Sequence, residues 1–149
     1  MKKVAIFLVL VLLLGLIAYA VMGNPVVFYH NFALKRAMSQ APEGEVTLNQ
    51  IVPFAWDAAY TFPPYTSKAE MEQTLGFSSA SIRETVNEGM VQLLFVKDGR
   101  VTASVCGYPE KLGYQVRFSD RVSFSEEAVF TAKRTEGVLT LIRREAQVP

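Results

Sequence analysis

The chain has 149 residues, half of them hydrophobic, with 15 basic and 14 acidic side chains and only one cysteine and one histidine. After the N-terminal pair Lys2 and Lys3, 13 basic residues remain against 14 acidic ones, and the two signs alternate along the chain. Binding of nucleic acid needs clustered lysine and arginine, so nucleic acid is not an expected partner. A single cysteine excludes an intramolecular disulfide, and the fold must therefore be stabilised by a hydrophobic core.

The first predicted element is a hydrophobic helix, because the stretch from Val4 to Met22 is uncharged and consists mostly of large apolar residues. Its length is close to the about 20 residues that span a bilayer core of about 30 Å. The positive-inside rule places Lys2 and Lys3 in the cytoplasm. We therefore expect a single-pass signal anchor, residues 4–22, in a bacterial cell membrane, with everything after it extracytoplasmic.

Cleavage is the alternative interpretation of the same segment. Val4 to Ile17 would be the apolar region of a signal peptide, and Ala18-Tyr19-Ala20 a small-residue cleavage site, so that the protein would be secreted. That apolar region lies at the long end of the usual 7–15 residues, and apolar character resumes at Val26. The uncleaved anchor is favoured on this ground, and cleavage after Ala20 remains open.

A short amphipathic helix is predicted from Asn31 to Gln40. Its apolar side comprises Phe32, Ala33, Leu34, Ala37 and Met38. Pro42 and Gly44 end it. The predicted organisation is an anchor or signal segment in residues 1–24, a stalk helix and linker in 25–44, and one extracytoplasmic domain in 45–149.

An aromatic strand follows. From Phe54 to Phe62 the large residues share one parity (Phe54, Trp56, Tyr60 and Phe62), and small residues with one carboxylate, Asp57, share the other. Period two predicts a strand that buries four aromatic side chains on one face. Pro63-Pro64 must end it, because proline cannot donate to a strand ladder.

Two sequence patterns predict helix starts after the prolines. Ser67-Lys68-Ala69-Glu70 matches the capping box, and a helix beginning there would end at Gly76. A second box, Ser81-Ile82-Arg83-Glu84, predicts another short helix ending near Gly89.

The C-terminal half is predicted to form hairpins. Asp98-Gly99 joins Val91–Lys97 to Arg100–Cys106, and Thr135-Glu136-Gly137 joins Ala128–Arg134 to Val138–Arg144. Residues 114–118 and 122–124 add short strands or edge pieces. The predicted fold class is α+β: an N-terminal membrane helix, then an antiparallel sheet of four to six strands with one or two helices packed on one face.

The aromatic string, in which Trp56-Asp57 is followed by Tyr60, Phe62 and Pro64-Tyr65-Thr66, resembles a group of small uncharacterised bacterial membrane-anchored or lipoprotein-type proteins. The resemblance covers roughly positions 50 to 107 and includes the capped helix and the Asp98-Gly99 hairpin. It implies an envelope location and an α+β fold, and it implies no biochemical activity. Lipoprotein-type members need a cysteine after the signal segment, which this chain lacks.

Five residues of the aromatic segment are candidate binding residues: Trp56, Asp57, Tyr60, Pro64 and Tyr65. Each also has a structural interpretation. Aromatic residues at period two usually build a core, and the carboxylate of Asp57 is expected to accept hydrogen bonds that hold the strand to a neighbouring loop.

Catalytic and metal sites are not expected. Cys106 is predicted to be a small buried hydrophobe, and His30 lies beside the membrane segment, so a cysteine–histidine dyad is improbable. Zinc needs more histidine and cysteine ligands than this chain has, and phosphate-binding glycine motifs are missing from the sequence. No cofactor is expected.

Two functions remain compatible with these patterns. The favoured hypothesis is a non-enzymatic, membrane-tethered interaction module that binds another envelope protein through the open face of the sheet or the Pro63-Pro64-Tyr65 loop. The alternative is an exported protein that binds or senses a small ligand, a lipid or wall precursor, in a pocket lined by the aromatic strand.

Overall fold

The computed structural model describes residues 2–144. The last five residues of the predicted domain, 145–149, lie outside this range. Helix α1 (Lys2–Met22) is followed by helix α2 (Pro25–Gln40). Within the described residues one helix is long and apolar enough to cross a membrane, over Lys2–Ala20, with a mean hydropathy of 2.6.

The two helices are separated by a local break. Gly23 has a φ of +68°, a left-handed conformation that ends α1. Asn24 then caps α2, because its side-chain oxygen accepts a hydrogen bond from the backbone N–H of Val26 at 3.0 Å. Pro25 occupies the first position of α2, where its missing N–H costs nothing.

Within residues 2–144, eight strands form two four-stranded sheets, and the α+β class is confirmed. The strands are β1 (Gly44–Thr47), β2 (Ala58–Thr61), β3 (Val91–Lys97), β4 (Arg100–Gly107), β5 (Tyr114–Arg117), β6 (Arg121–Ser123), β7 (Val129–Thr135) and β8 (Val138–Arg143). Sheet A has the order β1-β7-β8-β5, and sheet B the order β4-β3-β2-β6. The pairs of these strands are antiparallel except β5 with β8, which is parallel.

Short helices connect the strands. They are α3 (Leu48–Ile51), α4 (Lys68–Leu75), α5 (Pro109–Leu112) and a 3₁₀ turn (Phe124–Glu126). The start and end of α4 are as predicted: Ser67 and Glu70 form the reciprocal capping box, and Gly76 ends the helix with a φ of +79°.

Both predicted hairpins are confirmed. Asp98 and Gly99 have φ values of +49° and +68°, and Glu136 and Gly137 have +52° and +82°. Two successive left-handed residues make the type I′ turn, whose twist matches that of the flanking strands. The second turn is therefore Glu136-Gly137, since Thr135 still belongs to β7.

The main core contains buried residues from both sheets and from α2, whose Leu34 and Met38 are fully buried. A second, smaller cluster covers the opposite face of sheet B. Successive side chains of β3 point to opposite faces of sheet B. Leu93 and Phe95 therefore pack in the main core, and Leu94 packs in the second cluster.

The predicted aromatic strand is shorter than expected, and its aromatic residues do not share one face. Phe54 and Trp56 pack in the main core, whereas Tyr60 and Phe62 join the second cluster. The regular strand comprises only Ala58–Thr61, because the backbone bends at Asp57. Parity therefore does not carry across the bend, and the prediction of four aromatic residues on one face was wrong.

The helix predicted after Ser81 does not form. Its capping carboxylate is used elsewhere: Glu84 accepts a hydrogen bond from the backbone N–H of Lys68, in the first turn of α4, at 2.6 Å. The carbonyl of Arg83 accepts one from the side chain of Gln92, also at 2.6 Å. Hydrogen bonds to distant residues therefore take the place of the capping box predicted at Ser81 and Glu84.

Helix α2 begins six residues earlier than predicted and packs against β4. Its buried residues are Val27, Leu34 and Met38. The sequence pattern places Phe32 on the apolar side of this helix, but 64% of its surface is exposed. Successive residues of an α-helix are about 100° apart around its axis, so Phe32 and Leu34 are separated by about 200°, or about 160° measured the other way. Phe32 therefore cannot share the buried side with Leu34.

Candidate functional site

Trp56 is part of the main core. Only 3% of its surface is exposed, and its ring lies edge-on to those of Phe95 and Phe124 at centroid distances of 5.5 and 5.2 Å. These tilted pairs have the geometry that aromatic rings prefer in protein interiors. Trp56 is therefore placed where it stabilises the fold and cannot reach a ligand on the surface.

Asp57 holds the turn of the β3–β4 hairpin. Its Oδ1 lies 2.7 Å from the ammonium of Lys97, and its Oδ2 accepts a hydrogen bond from the backbone N–H of Asp98 at 2.8 Å. The hydrogen bond from Lys97 and that from Asp98 hold the pKa of the Asp57 carboxyl below its usual value of 3.8. The same contact raises the pKa of Lys97. This geometry agrees with the structural interpretation of the carboxylate.

The other three candidates lie beyond the bend. Tyr60 is half-buried and stacks on Phe62 with an interplanar angle of 8°. Pro64 is half-buried, whereas Tyr65 is 61% exposed, with a φ of +68°. The five predicted residues are thus divided among the core, a hairpin turn, the second cluster and a surface loop, and they do not form one site.

His30 and Asn31 hold α2 along the edge of sheet B. Nδ1 of His30 lies 2.8 Å from the carbonyl oxygen of Thr102, and the ring stacks on Phe54 at 4.3 Å. The side-chain amide of Asn31 donates to the carbonyl of Ser104 at 2.8 Å and accepts from its N–H at 2.9 Å. His30 follows the apolar segment in sequence and packs against the folded domain.

Cys106 lies four residues beyond Thr102 on β4, about 13 Å along the strand from the carbonyl that binds His30. The thiol is half-buried, and burial raises its pKa, although Arg83 acts in the opposite direction. A raised pKa disfavours the reactive thiolate. Among the described residues, no group of three or more histidine, cysteine, aspartate or glutamate side chains is placed to hold a metal ion.

An open groove of about 440 Å³ lies over the outward face of β5 and β8, beside α5. Its floor is made by residues that alternate with buried ones on the two parallel strands, and its ends by α5 and the β7–β8 turn. The lining residues are Gly89, Tyr108, Pro109, Glu110, Gln115, Arg117, Thr135, Glu136, Val138 and Thr140.

Comparison with known proteins does not assign this groove. No protein-family model, no curated protein and no solved structure matches the chain.

Three side chains on the floor of the groove are linked. The guanidinium of Arg117 donates from Nε and Nη2 to Oε1 of Gln115 at 3.2 and 3.1 Å. Nε2 of Gln115 then donates to Oγ1 of Thr140, its partner in the β5–β8 register, at 3.0 Å. Arginine has five N–H donors, so Arg117 keeps donors for an incoming acceptor while Gln115 holds it in place.

The sequence did not predict this groove. In the sequence, polar residues alternate with apolar ones on two short strands, a pattern typical of any solvent-facing side of a sheet. The residues concerned are Gln115, Arg117 and Thr140. They become neighbours because β5 pairs with β8 in parallel, across 20 intervening residues that include β6 and β7. The sequence shows the alternation of polar and apolar residues along each strand, but it does not show that β5 pairs with β8.

Proposed function

We propose that this chain is a non-enzymatic, membrane-tethered interaction module that binds a polar segment of another envelope protein in the groove over β5 and β8. The observation that carries the proposal is the linked Arg117–Gln115–Thr140 chain on an open, outward face. Its hydrogen-bonding groups are held in place and face the solvent, where a partner protein could form hydrogen bonds with them.

The chemistry of the lining favours a polar protein segment as the occupant. Besides Arg117, the groove carries the carboxylates of Glu110 and Glu136 and the hydroxyls of Thr135 and Tyr108. Sites for small apolar ligands are mostly lined by hydrophobic and aromatic side chains. Trp56, the residue expected to line such a site, lies in the core.

The membrane tether supports the same function. Helix α1 is long and apolar enough to span a bilayer, and Lys2 and Lys3 precede it. The positive-inside rule then gives a cytoplasmic N-terminus and an extracytoplasmic domain. A tether confines the groove to a thin layer near the membrane, which raises its effective concentration toward partners in the same membrane.

Site-specific photo-crosslinking in membranes of the native host tests the proposal. A benzophenone amino acid in place of Thr135, which lines the groove, should give a discrete adduct with one protein. The same probe in place of Arg100, which is exposed at the far hairpin of sheet B, should not. Equal adducts from both positions would contradict the proposal.

A pair of arginine variants provides the matched control. Arg117→Ala should abolish the adduct formed from position 135, because it removes the guanidinium from the groove. Arg100→Ala removes the same charge elsewhere and should leave the adduct unchanged. An adduct with a lipid or wall precursor in place of a protein would favour the small-ligand alternative.

A further inference from the structure

The outward face of α2 changes character along its length. In its first half, four large apolar side chains are 54–66% exposed, namely Val26, Phe28, Tyr29 and Phe32. In its second half the exposed side chains are polar or basic, beginning with Lys35 and Arg36. Three exposed aromatic residues within five positions form an unpartnered surface, which we call the aromatic face.

The aromatic face cannot turn inward, because the opposite side of α2 is already occupied. Val27 belongs to the second cluster, and Leu34 and Met38 belong to the main core. The two hydrogen bonds between the Asn31 side chain and the Ser104 backbone, one donated by each residue, fix the rotation of the helix about its axis. Whatever covers the aromatic face must therefore approach from the side away from the domain.

The chain connectivity places this face at the end of the membrane span. Pro25 is three residues after Met22, the last residue of α1, and can be at most about 10 Å from it. Phe32 lies about 10 Å further along α2. The polar layer on each side of the hydrocarbon core is about 5–8 Å thick. An α2 directed along the bilayer normal from a start in this layer would carry Phe32 out of it, whereas an α2 lying along the surface keeps all three aromatic residues within it.

We propose that the aromatic face of α2 lies in the headgroup layer of the bilayer beside α1 and gives the domain a second contact with the membrane. Aromatic side chains concentrate at this depth in membrane proteins. Arg36 and Lys35 follow the aromatic residues and would meet the lipid phosphates, although Lys35 also donates to the carbonyl of Lys111 at 3.2 Å.

The proposed contact orients the whole domain. Helix α2 lies between the bilayer and β4, so the β4 edge of sheet B faces the membrane. The lipid contact rests on the membrane span of α1, which is part of the proposed function, and it does not depend on the groove over β5 and β8. Experiments can therefore contradict the lipid contact and the groove separately.

Quenching of tryptophan fluorescence by lipids with brominated acyl chains tests the contact. The full chain is reconstituted in vesicles of phosphatidylcholine and phosphatidylglycerol, and Phe32→Trp is compared with Ile142→Trp, whose site on β8 is 50% exposed. Native Trp56 is buried and contributes equally to both variants. Phe32→Trp should lose most of its added fluorescence in brominated vesicles, and Ile142→Trp should lose little.

Phe28→Trp repeats the measurement one turn earlier on the same face, so that a folding defect in one variant does not decide the outcome. Equal quenching at positions 32 and 142 would overturn the proposal. A blue-shifted emission at positions 28 and 32 without quenching would also overturn it, because a protein surface or a second copy of the chain would then cover the aromatic face.

Discussion

At the scale of single residues, the Asp57 carboxylate joins three parts of sheet B. The carboxylate accepts hydrogen bonds from the ammonium of Lys97 at the end of β3 and from the backbone N–H of Asp98 in the turn. The backbone N–H of Asp57 donates to the carbonyl of Val96 at 2.7 Å. The β3–β4 turn is therefore held against the bend that precedes β2. These contacts need the ionised carboxylate, which makes their contribution dependent on pH.

Asp57→Asn should lower the stability of the folded domain at neutral pH. Because the pKa of Asp57 is lower in the folded state than its usual 3.8, its stabilising contribution is present above that value and is lost as the pH falls through the folded pKa. Urea unfolding in detergent should therefore show a difference between wild type and Asp57→Asn at pH 7 that shrinks at about pH 2.

The matched control is Asp98→Asn, which removes a neighbouring carboxylate whose side chain is 81% exposed and 3.6 Å from Lys97. Asparagine also tolerates the left-handed conformation of this turn position. Asp98→Asn should cost less than Asp57→Asn. A larger effect at position 98 would show that the turn is not held by Asp57.

Trp56 and Tyr65 make a second comparison at this scale, since one is buried and the other exposed. Trp56→Ala should lower the free energy of unfolding by about 3–5 kcal/mol, because it leaves a cavity beside Phe95. Tyr65→Ala should stay within about 0.5 kcal/mol of wild type. Chemical denaturation measures both, and a small loss for Trp56→Ala would contradict its place in the core.

At the scale of elements, helix α2 protects the edge of a sheet. Strand β4 is an edge strand of sheet B, and unpaired edge groups invite pairing with other chains. The Asn31 amide pairs with both backbone groups of Ser104, in the manner of a neighbouring strand. His30 adds a third contact at Thr102. One helix therefore covers two hydrophobic clusters and an open edge together.

Asn31→Ala should destabilise the domain by about 1–3 kcal/mol, because it leaves the N–H and C=O of Ser104 without their side-chain partner. Alanine favours the helix more than asparagine does, so helix propensity cannot explain a loss. Hydrogen exchange at the Ser104 N–H should also become faster. Gln40→Ala, at the exposed end of α2, is the control and should change neither quantity.

At the scale of the whole molecule, α1 and α2 are separate helices. The capped start of α2 and the left-handed Gly23 interrupt the backbone just after the apolar segment. The two possible fates of α1, retention and cleavage, therefore leave α2 with its own N-terminal cap. Retention is required for the proposed tether.

The protein purified from membranes should retain residues 1–20. N-terminal sequencing should not find a chain that begins at Val21, because a 19-residue apolar helix is long enough to remain in the bilayer. Ala18→Leu, which alters the small-residue cleavage pattern, should leave the N-terminus unchanged. A mature chain that begins at Val21 would remove the tether.

Much of the architecture could be predicted, because several of its signals are local. The helix after Ser67 and the two glycine-containing hairpins formed as expected, since each depends on residues only a few positions apart. The candidate site was much less predictable. Arg117 and Thr140 are distant in sequence, and only the β5–β8 pairing brings them to one groove.

Local sequence signals specify the apolar helix, the α+β class and the turns, because hydrophobic periodicity and left-handed turn residues act over short distances. The choice between competing hydrogen-bond and packing partners depends on contacts between distant parts of the fold. Glu84 could cap its own segment or the first turn of α4, and it caps α4. The aromatic run could form one face or two, and the bend at Asp57 divides it between two clusters. Such choices depend on the relative free energies of distant contacts, which local sequence patterns do not contain.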